Sequence, residues 1–153
     1  MTSKHTLDEN RAIADQTIKK YGAGPLLHLI NGELVPSLSH GTFENHSPGD
    51  QRRLGSVAEG GPEDIAAAAD AAAAAFPDWV SRSGADRKKI LHRIADLIVD
   101  RADEIAAVES VDTGQAIRFM GSAAIRGAEN FRYFADAAPG ALDGKSMPTK
   151  THL

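Results

Sequence analysis

Apolar residues recur at helical spacing through the middle of the chain, from Val57 to Gly114, and predict three consecutive helices. The first is expected to begin at Pro62, because two glycines precede it and proline suits a first helical position. Pro77 is expected to end it. Its apolar stripe is rich in alanine, which lets a neighbouring backbone approach closely. The stripe comprises Ile65, Ala69, Ala72, Ala73 and Phe76.

The second and third helices of this stretch have clear end signals. Ser83 is a suitable N-cap, with Asp86 three positions later. Asp103 and Glu104 open the third helix at the end where the helix dipole favours negative charge. Gly114 closes it, since glycine readily adopts the left-handed conformation. The predicted buried positions are Ile90, Leu91, Ile94, Leu97 and Ile98 on the second helix, and Ile105, Val108 and Val111 on the third.

Shorter elements are predicted before this stretch. Thr6 and Glu9 have the spacing of a capping box and indicate a helix that ends at Gly22. The run from 26 to 36 is apolar on both sides of an Asn-Gly pair, which is the strongest local signal for a tight hairpin. Two further strands are predicted at 41–45 and 54–57, joined by a turn that contains Ser47, Pro48, Gly49 and Asp50.

A long helix is predicted after the central stretch, from Ala116 to Ala138, where Pro139 and Gly140 stop it. The residues that follow are expected to form an extended tail. One side of the helix is expected to be buried, namely Met120, Ala124, Ala128, Phe131, Phe134 and Ala135.

Composition narrows the classes of protein. The apolar share is 42%, and much of it is alanine, so the core should be thin. The net charge is −4 with no basic patch, which argues against a nucleic-acid partner. With no cysteine, neither a disulfide nor a thiolate metal site can form. The start of the chain has no apolar signal-peptide core, and no apolar run reaches membrane-spanning length, so we expect a cytoplasmic location.

Three segments in this order resemble the start of NAD(P)-dependent aldehyde dehydrogenases: VAEGGPEDI, AAFPDW and ADRKKILHRIADLIVDRADEIAAVESVDTGQ. The resemblance extends from about His28 to Pro148. It implies an α/β fold in which short antiparallel strands and four helices form the N-terminal part of the coenzyme-binding domain. It also divides the chain into an N-terminal helical extension at 1–25, the family segment at 26–148 and a truncated connection at 149–153.

The resemblance implies that the complete enzyme oxidises an aldehyde to the acid with NAD or NADP. Such enzymes use a cysteine nucleophile, a glutamate base, an oxyanion site and a dinucleotide pocket. The resemblance places all of these beyond residue 153. We therefore expect no catalytic or cofactor-binding residue in this chain.

The same resemblance implies the partners. We expect the remaining C-terminal part of the dehydrogenase, or another subunit, to bind this chain, and the complete enzyme to be a homo-oligomer. Two alternatives stay open: a small helical interaction module that does no catalysis, and a remnant without function.

One candidate substrate residue is Arg126. The segment RGAENFRYF, which begins there, resembles a helix of dehydrogenases that act on muconic semialdehydes. In those enzymes the corresponding arginine meets the distal carboxylate of the substrate. A guanidinium suits this role, because its planar fork matches a carboxylate. The family has proline before this arginine, whereas this chain has Ile125, and the alternative is an ordinary arginine on an exposed helix face.

Two other patterns resemble a phosphate site and an acid–base pair, but each has a simpler structural explanation. Gly60 and Gly61 precede a helix start, where phosphates bind in some proteins, but two acidic residues follow and the Gly-rich phosphate motifs are absent. Glu109 and Asp112 are three positions apart on the last turns of a helix, which indicates a solvated face or a cap rather than an acid–base pair.

Metal binding is not expected. The six histidines lack ligand spacing on a predicted helix, although His40 and His46 share one loop region. The family resemblance nevertheless suggests a weak monovalent-cation position near Asn45 and the backbone carbonyl of Asp112.

Overall fold

The computed structural model describes residues 5–141 and 143–144. Within them lie five α-helices and two antiparallel strand pairs, which confirms the predicted mixed α/β fold. The predicted connection at 149–153, most of the predicted tail and His152 lie outside the described residues. The elements are α1 Leu7–Tyr21, β1 His28–Ile30, β2 Glu33–Val35, β3 Thr42–His46, β4 Arg53–Ala58, α2 Pro62–Ser81, α3 Gly84–Asp100, α4 Ala102–Thr113, α5 Ile117–Ala137 and a 3₁₀ turn Ala138–Gly140.

The predicted helix ends are confirmed where a specific cap was named. The Thr6 hydroxyl accepts a hydrogen bond from the Glu9 N–H at 3.3 Å, and the Glu9 carboxylate accepts one from the Thr6 N–H at 2.7 Å. Ser83 caps α3 by accepting from the Asp86 N–H at 3.1 Å. Gly114 ends α4 in the left-handed conformation, with φ of 75°.

The prediction that Pro77 ends α2 is wrong, because the helix continues to Ser81. Proline removes one backbone donor and strains the preceding turn. This part of α2 is exposed, so water can satisfy the carbonyl that is left without a donor. The last turn is also stabilised from beyond its end, since the Arg82 guanidinium donates to the Asp78 carboxylate at 2.7 Å.

The hairpin prediction is confirmed at its turn. Asn31 and Gly32 both have positive φ, 52° and 81°, as a two-residue type I′ turn requires. The second strand pair begins and ends within one residue of the predicted bounds. Its register is interrupted between Asn45 and His46, next to the predicted turn.

The core is thin, as the composition predicted. It lies where α5 packs against α3 and α4, and small side chains let the helix backbones come close together. Met120 is the largest of its buried apolar side chains, and the others are all alanine: Ala95, Ala106, Ala107, Ala124, Ala128 and Ala135. Ala58 is buried at the end of β4.

Several larger side chains that were predicted to be buried are exposed instead. Phe134 is 64% exposed, because it lies one residue, and thus about 100° of helix rotation, from the buried Ala135. Phe131 is also partly exposed. Val108 and Leu97 are exposed because α4 and α3 turn their alanine faces, at Ala106–Ala107 and Ala95, toward the core.

A buried carboxylate fixes the start of α2. Asp64 is 6% exposed and accepts hydrogen bonds from the Gly61 N–H at 2.9 Å, the Leu38 N–H at 3.0 Å and the Ser37 hydroxyl at 3.1 Å. These bonds, that from the Gly61 N–H above all, hold the pKa of Asp64 below its ordinary value. The loop after β2 is thereby joined to α2.

A second carboxylate joins α1 to α4. Glu104 accepts from the Arg101 guanidinium at 2.8 Å, the Lys20 ammonium at 2.5 Å and the Tyr21 hydroxyl at 2.7 Å. These donors, Arg101 first, lower the pKa of Glu104 to about 2. An N-terminal helix with no apolar residue fully buried is thus anchored by polar contacts.

We expect Gly114→Ala to destabilise the chain by about 1–2 kcal/mol, the cost of placing a side chain in the left-handed region. The added Cβ would also lie 3.0 Å from Cγ of Pro48. Urea unfolding measures the change. Gly127→Ala is the matched control, because it lies inside α5 with open space around it and should leave stability unchanged or raise it. Equal effects from both substitutions would contradict the assignment of a left-handed conformation to Gly114.

We expect Glu104→Gln to lower the free energy of unfolding at neutral pH by about 1–2 kcal/mol, the scale of hydrogen bonds to a charged group. The folded-state pKa lies below the ordinary value of 4.5, so this stabilisation is present above pH 4.5 and is lost as the pH falls toward 2. Urea unfolding at neutral pH and near pH 2 should show the difference between the proteins disappear in acid. Glu109→Gln, on the exposed side of α4, should have no such effect.

Candidate functional site

A groove of about 750 Å³ lies between α1, α4, α5 and the turn that joins β3 to β4. Part of its lining is apolar and comes from α4 and α5, including Ala106, Val111, Ile117 and Ile125. Four arginines also line it, namely Arg11, Arg52, Arg118 and Arg126. A groove of this composition suits a molecule that is partly apolar and partly anionic.

Two of the four arginines are paired with carboxylates of the chain. Arg52 lies 3.2 Å from the carboxylate of Asp15 and 3.3 Å from that of Asp50, and Arg11 lies 3.7 Å from that of Asp8. These contacts place a negative charge beside each guanidinium, so neither is an open site for an anionic ligand.

The other two arginines are on α5. Arg126, the substrate residue proposed from the sequence, is exposed and makes no hydrogen bond or ion pair with any residue that the structure describes. Arg118 stacks on the ring of Phe119, with 4.7 Å between the guanidinium carbon and the ring centroid, and likewise has no carboxylate partner in the described ranges. Both guanidinium groups can therefore donate hydrogen bonds to an external carboxylate without losing an existing ion pair.

The replacement of the family proline by Ile125 leaves α5 a regular helix from Ile117 to Ala137. Isoleucine keeps the backbone N–H that proline lacks, so the helix needs no kink before Arg126. Ile125 itself lines the groove beside the arginine.

Sequence reasoning missed Arg118. It precedes Arg126 by eight residues, and Ser122 lies midway between them. Residues at i, i+4 and i+8 form a continuous row along a helix surface, and all three of these residues line the groove. The spacing of eight residues between the two arginines was the sequence signal that could have identified Arg118.

The helix start at Gly60 and Gly61 is structural, as predicted. The Gly61 N–H, which a phosphate would need, donates to the Asp64 carboxylate. A carboxylate at this position repels a second anion. This contact supports the prediction of an ordinary helix start, and the absence of a phosphate site stays a prediction.

The interpretation of Glu109 and Asp112 as a solvated face or a cap, rather than an acid–base pair, is supported by their surroundings. Both are exposed, and Asp112 accepts a hydrogen bond of 2.6 Å from the side-chain amide of Asn45. This contact joins α4 to β3 beside a second groove of about 520 Å³. The suggested weak cation position at Asn45 and the Asp112 carbonyl stays a prediction.

The described histidines do not gather into a metal site. His92 lies 2.9 Å from Asp136 across α3 and α5, and His5 lies 3.4 Å from Asp103. Across residues 5–141 and 143–144, no three histidine or acidic side chains come together as ligands. None of the helices described there is long and apolar enough to cross a membrane.

The chain matches the aldehyde dehydrogenase family over residues 35–153. It therefore belongs to the aldehyde dehydrogenase family, whose members are NAD(P)-dependent. The expectation drawn from the three sequence segments is confirmed.

Individual relatives agree with this assignment. The chain is 46% identical over 114 residues to aldehyde dehydrogenase 1 of Tanacetum cinerariifolium, and 41% identical over 111 residues to 2-hydroxymuconic semialdehyde dehydrogenase of Pseudomonas sp. strain CF600. Each match covers 71% of this chain. The chain spans only 22% and 23% of the lengths of these relatives.

The fold matches solved structures of the family. The crystal structure of HpcC from Thermus thermophilus superposes with a TM-score of 0.85 at 36% identity. The superposition covers 92% of this chain and 27% of the HpcC chain. The arrangement of strands and helices described above is therefore that of about a quarter of such an enzyme.

Proposed function

We propose that this chain is the N-terminal part of an NAD(P)-dependent aldehyde dehydrogenase that oxidises a carboxylated semialdehyde to the acid. The observation that carries the substrate class is Arg126, an exposed guanidinium without a carboxylate partner among the described residues, on the wall of the α5 groove. The similarity to a 2-hydroxymuconic semialdehyde dehydrogenase supports the same class.

The chemistry of Arg126 suits this role. A guanidinium remains charged at every physiological pH and can donate two parallel hydrogen bonds to one carboxylate. Such a contact fixes one end of the substrate and leaves the aldehyde at the other end free to react. Arg126 is therefore proposed as a substrate-binding residue and not as a catalytic one.

The remaining steps are assigned to the rest of the proposed enzyme. These 153 residues contain no thiol, so no thiohemiacetal can form on them. Bound NAD or NADP accepts the hydride in this family. In this proposal the present chain supplies a scaffold and one wall of the substrate entrance, within a cytoplasmic homo-oligomer.

We expect the purified chain, supplied with NAD and an aldehyde, to show no reduction of NAD, because it lacks the nucleophile. Absorbance at the wavelength of reduced nicotinamide measures this. Co-expression with the C-terminal part of a muconic semialdehyde dehydrogenase should restore activity. Turnover by the chain alone would contradict the proposal.

We expect Arg126→Ala, in the complemented enzyme, to raise KM for a carboxylated aldehyde about tenfold, the scale of a charge-assisted hydrogen bond. The value of kcat should change little, because the contact is made in the ground state as well. Steady-state kinetics with a carboxylated aldehyde and an uncharged aldehyde of equal length measure this.

Two controls separate this role from a general effect on folding. The KM for the uncharged aldehyde should stay the same in Arg126→Ala. Arg93→Ala, which removes an exposed arginine of α3 outside the groove, should change neither KM. An unchanged KM for the carboxylated aldehyde in Arg126→Ala would remove the substrate role.

A second candidate function rests on α2. Of its 20 residues Asp64 alone is buried, while Ile65, Phe76 and Val80 are more than half exposed. An apolar helix face of this size favours association with another protein. A small interaction module that binds another dehydrogenase subunit would use this face.

The two functions differ in how the isolated chain should behave. A sharp cooperative unfolding transition, with a compact monomer in size-exclusion chromatography, favours the interaction module. A broad transition with aggregation favours the dehydrogenase segment, whose apolar faces would then need the rest of the enzyme.

A further inference from the structure

We propose that Arg118 is a second carboxylate-binding residue and that the α5 groove takes a ligand with two carboxylates. This inference rests on the proposed function, because it extends the role of Arg126 along the same groove. It adds a residue outside the RGAENF segment, and it fits the dicarboxylate product that oxidation of a carboxylated semialdehyde to the acid gives.

The placement of the two arginines sets the length of the ligand. Arg118 and Arg126 are eight residues apart on one continuous helix, which separates their Cα atoms by about 12 Å. Neither guanidinium is buried, so each can meet a ligand that lies between them along the groove. A ligand of about six carbons can thus meet one guanidinium at each end.

The charges around the groove leave these two sites open. Arg11 and Arg52 already lie beside carboxylates of the chain, whereas Arg118 and Arg126 do not within the described residues. Stacking on Phe119 orders the Arg118 side chain without neutralising its charge.

A carboxylate of the chain limits the groove at one end. Glu129 lies one helical turn beyond Arg126 and lines the same groove. It repels an anion that extends past Arg126 toward the C-terminal end of α5. The second carboxylate of a ligand is therefore directed toward Arg118.

The lining near the two arginines suits a hydrocarbon chain. Ile117, Gly121 and Ile125 of α5 and Val111 of α4 contribute apolar surface to the groove. Contact with these residues removes the middle of the ligand from water while its ends remain bound to charge.

Because the proposed function assigns the groove to a larger enzyme, binding is measured on the chain co-expressed with the C-terminal part of a muconic semialdehyde dehydrogenase. The test is an isothermal titration of this complemented enzyme at low ionic strength, with adipate and with hexanoate. The two probes have the same six-carbon backbone and differ in one carboxylate. We expect adipate to bind about threefold more tightly, the scale of one exposed ion pair.

Three variants assign the effect. Arg118→Gln should weaken adipate to the affinity of hexanoate and leave hexanoate unchanged, whereas Arg93→Gln should change neither. Preference for adipate that survives Arg118→Gln, or no binding of adipate to the complemented enzyme, overturns the proposal. Arg126→Gln should weaken the binding of both adipate and hexanoate. If it leaves hexanoate unaffected while Arg118→Gln still weakens adipate, the role of Arg126 fails and that of Arg118 stands.

Discussion

The contact between small side chains of α3, α4 and α5 determines the arrangement of the other elements. Ala95, Ala128 and Ala135 are fully buried, and α5 packs against both α3 and α4. Since packed interiors have little free volume, a larger residue there would push the helices apart. Ala124 and Ala128, which lie on either side of Arg126 along α5, are buried, while Arg126 lines the groove.

A core of alanine removes little apolar surface from water, so it contributes little stabilisation. Polar contacts therefore contribute more to holding the outer elements in position. Asp64 ties α2 to the loop after β2, and Glu104 ties α1 to α4. Each carboxylate accepts three hydrogen bonds from neighbouring residues, and each has a lowered pKa for that reason. Both ties thus depend on a negative charge.

The same thin core explains why the chain has the character of one part of a larger enzyme. Large apolar side chains such as Phe76 and Phe134 point outward because the alanine faces already occupy the interior. The two relatives compared above are more than three times as long as this chain. In the proposed enzyme, the groove on α5 would receive the substrate while the outward apolar faces would meet the rest of the fold.

The sequence by itself determined the family and the elements whose ends depend on local chemistry. The capping box at Thr6, the Asn31 turn and the left-handed Gly114 are set by neighbours along the chain, so their patterns sufficed. Burial was decided by the tertiary structure, because one residue along a helix changes the direction of a side chain by about 100°. The spacing of Arg118 and Arg126 aligns them along α5, but only the fold made this row a groove wall and left both without a carboxylate partner among the described residues, since pairing depends on which helices meet.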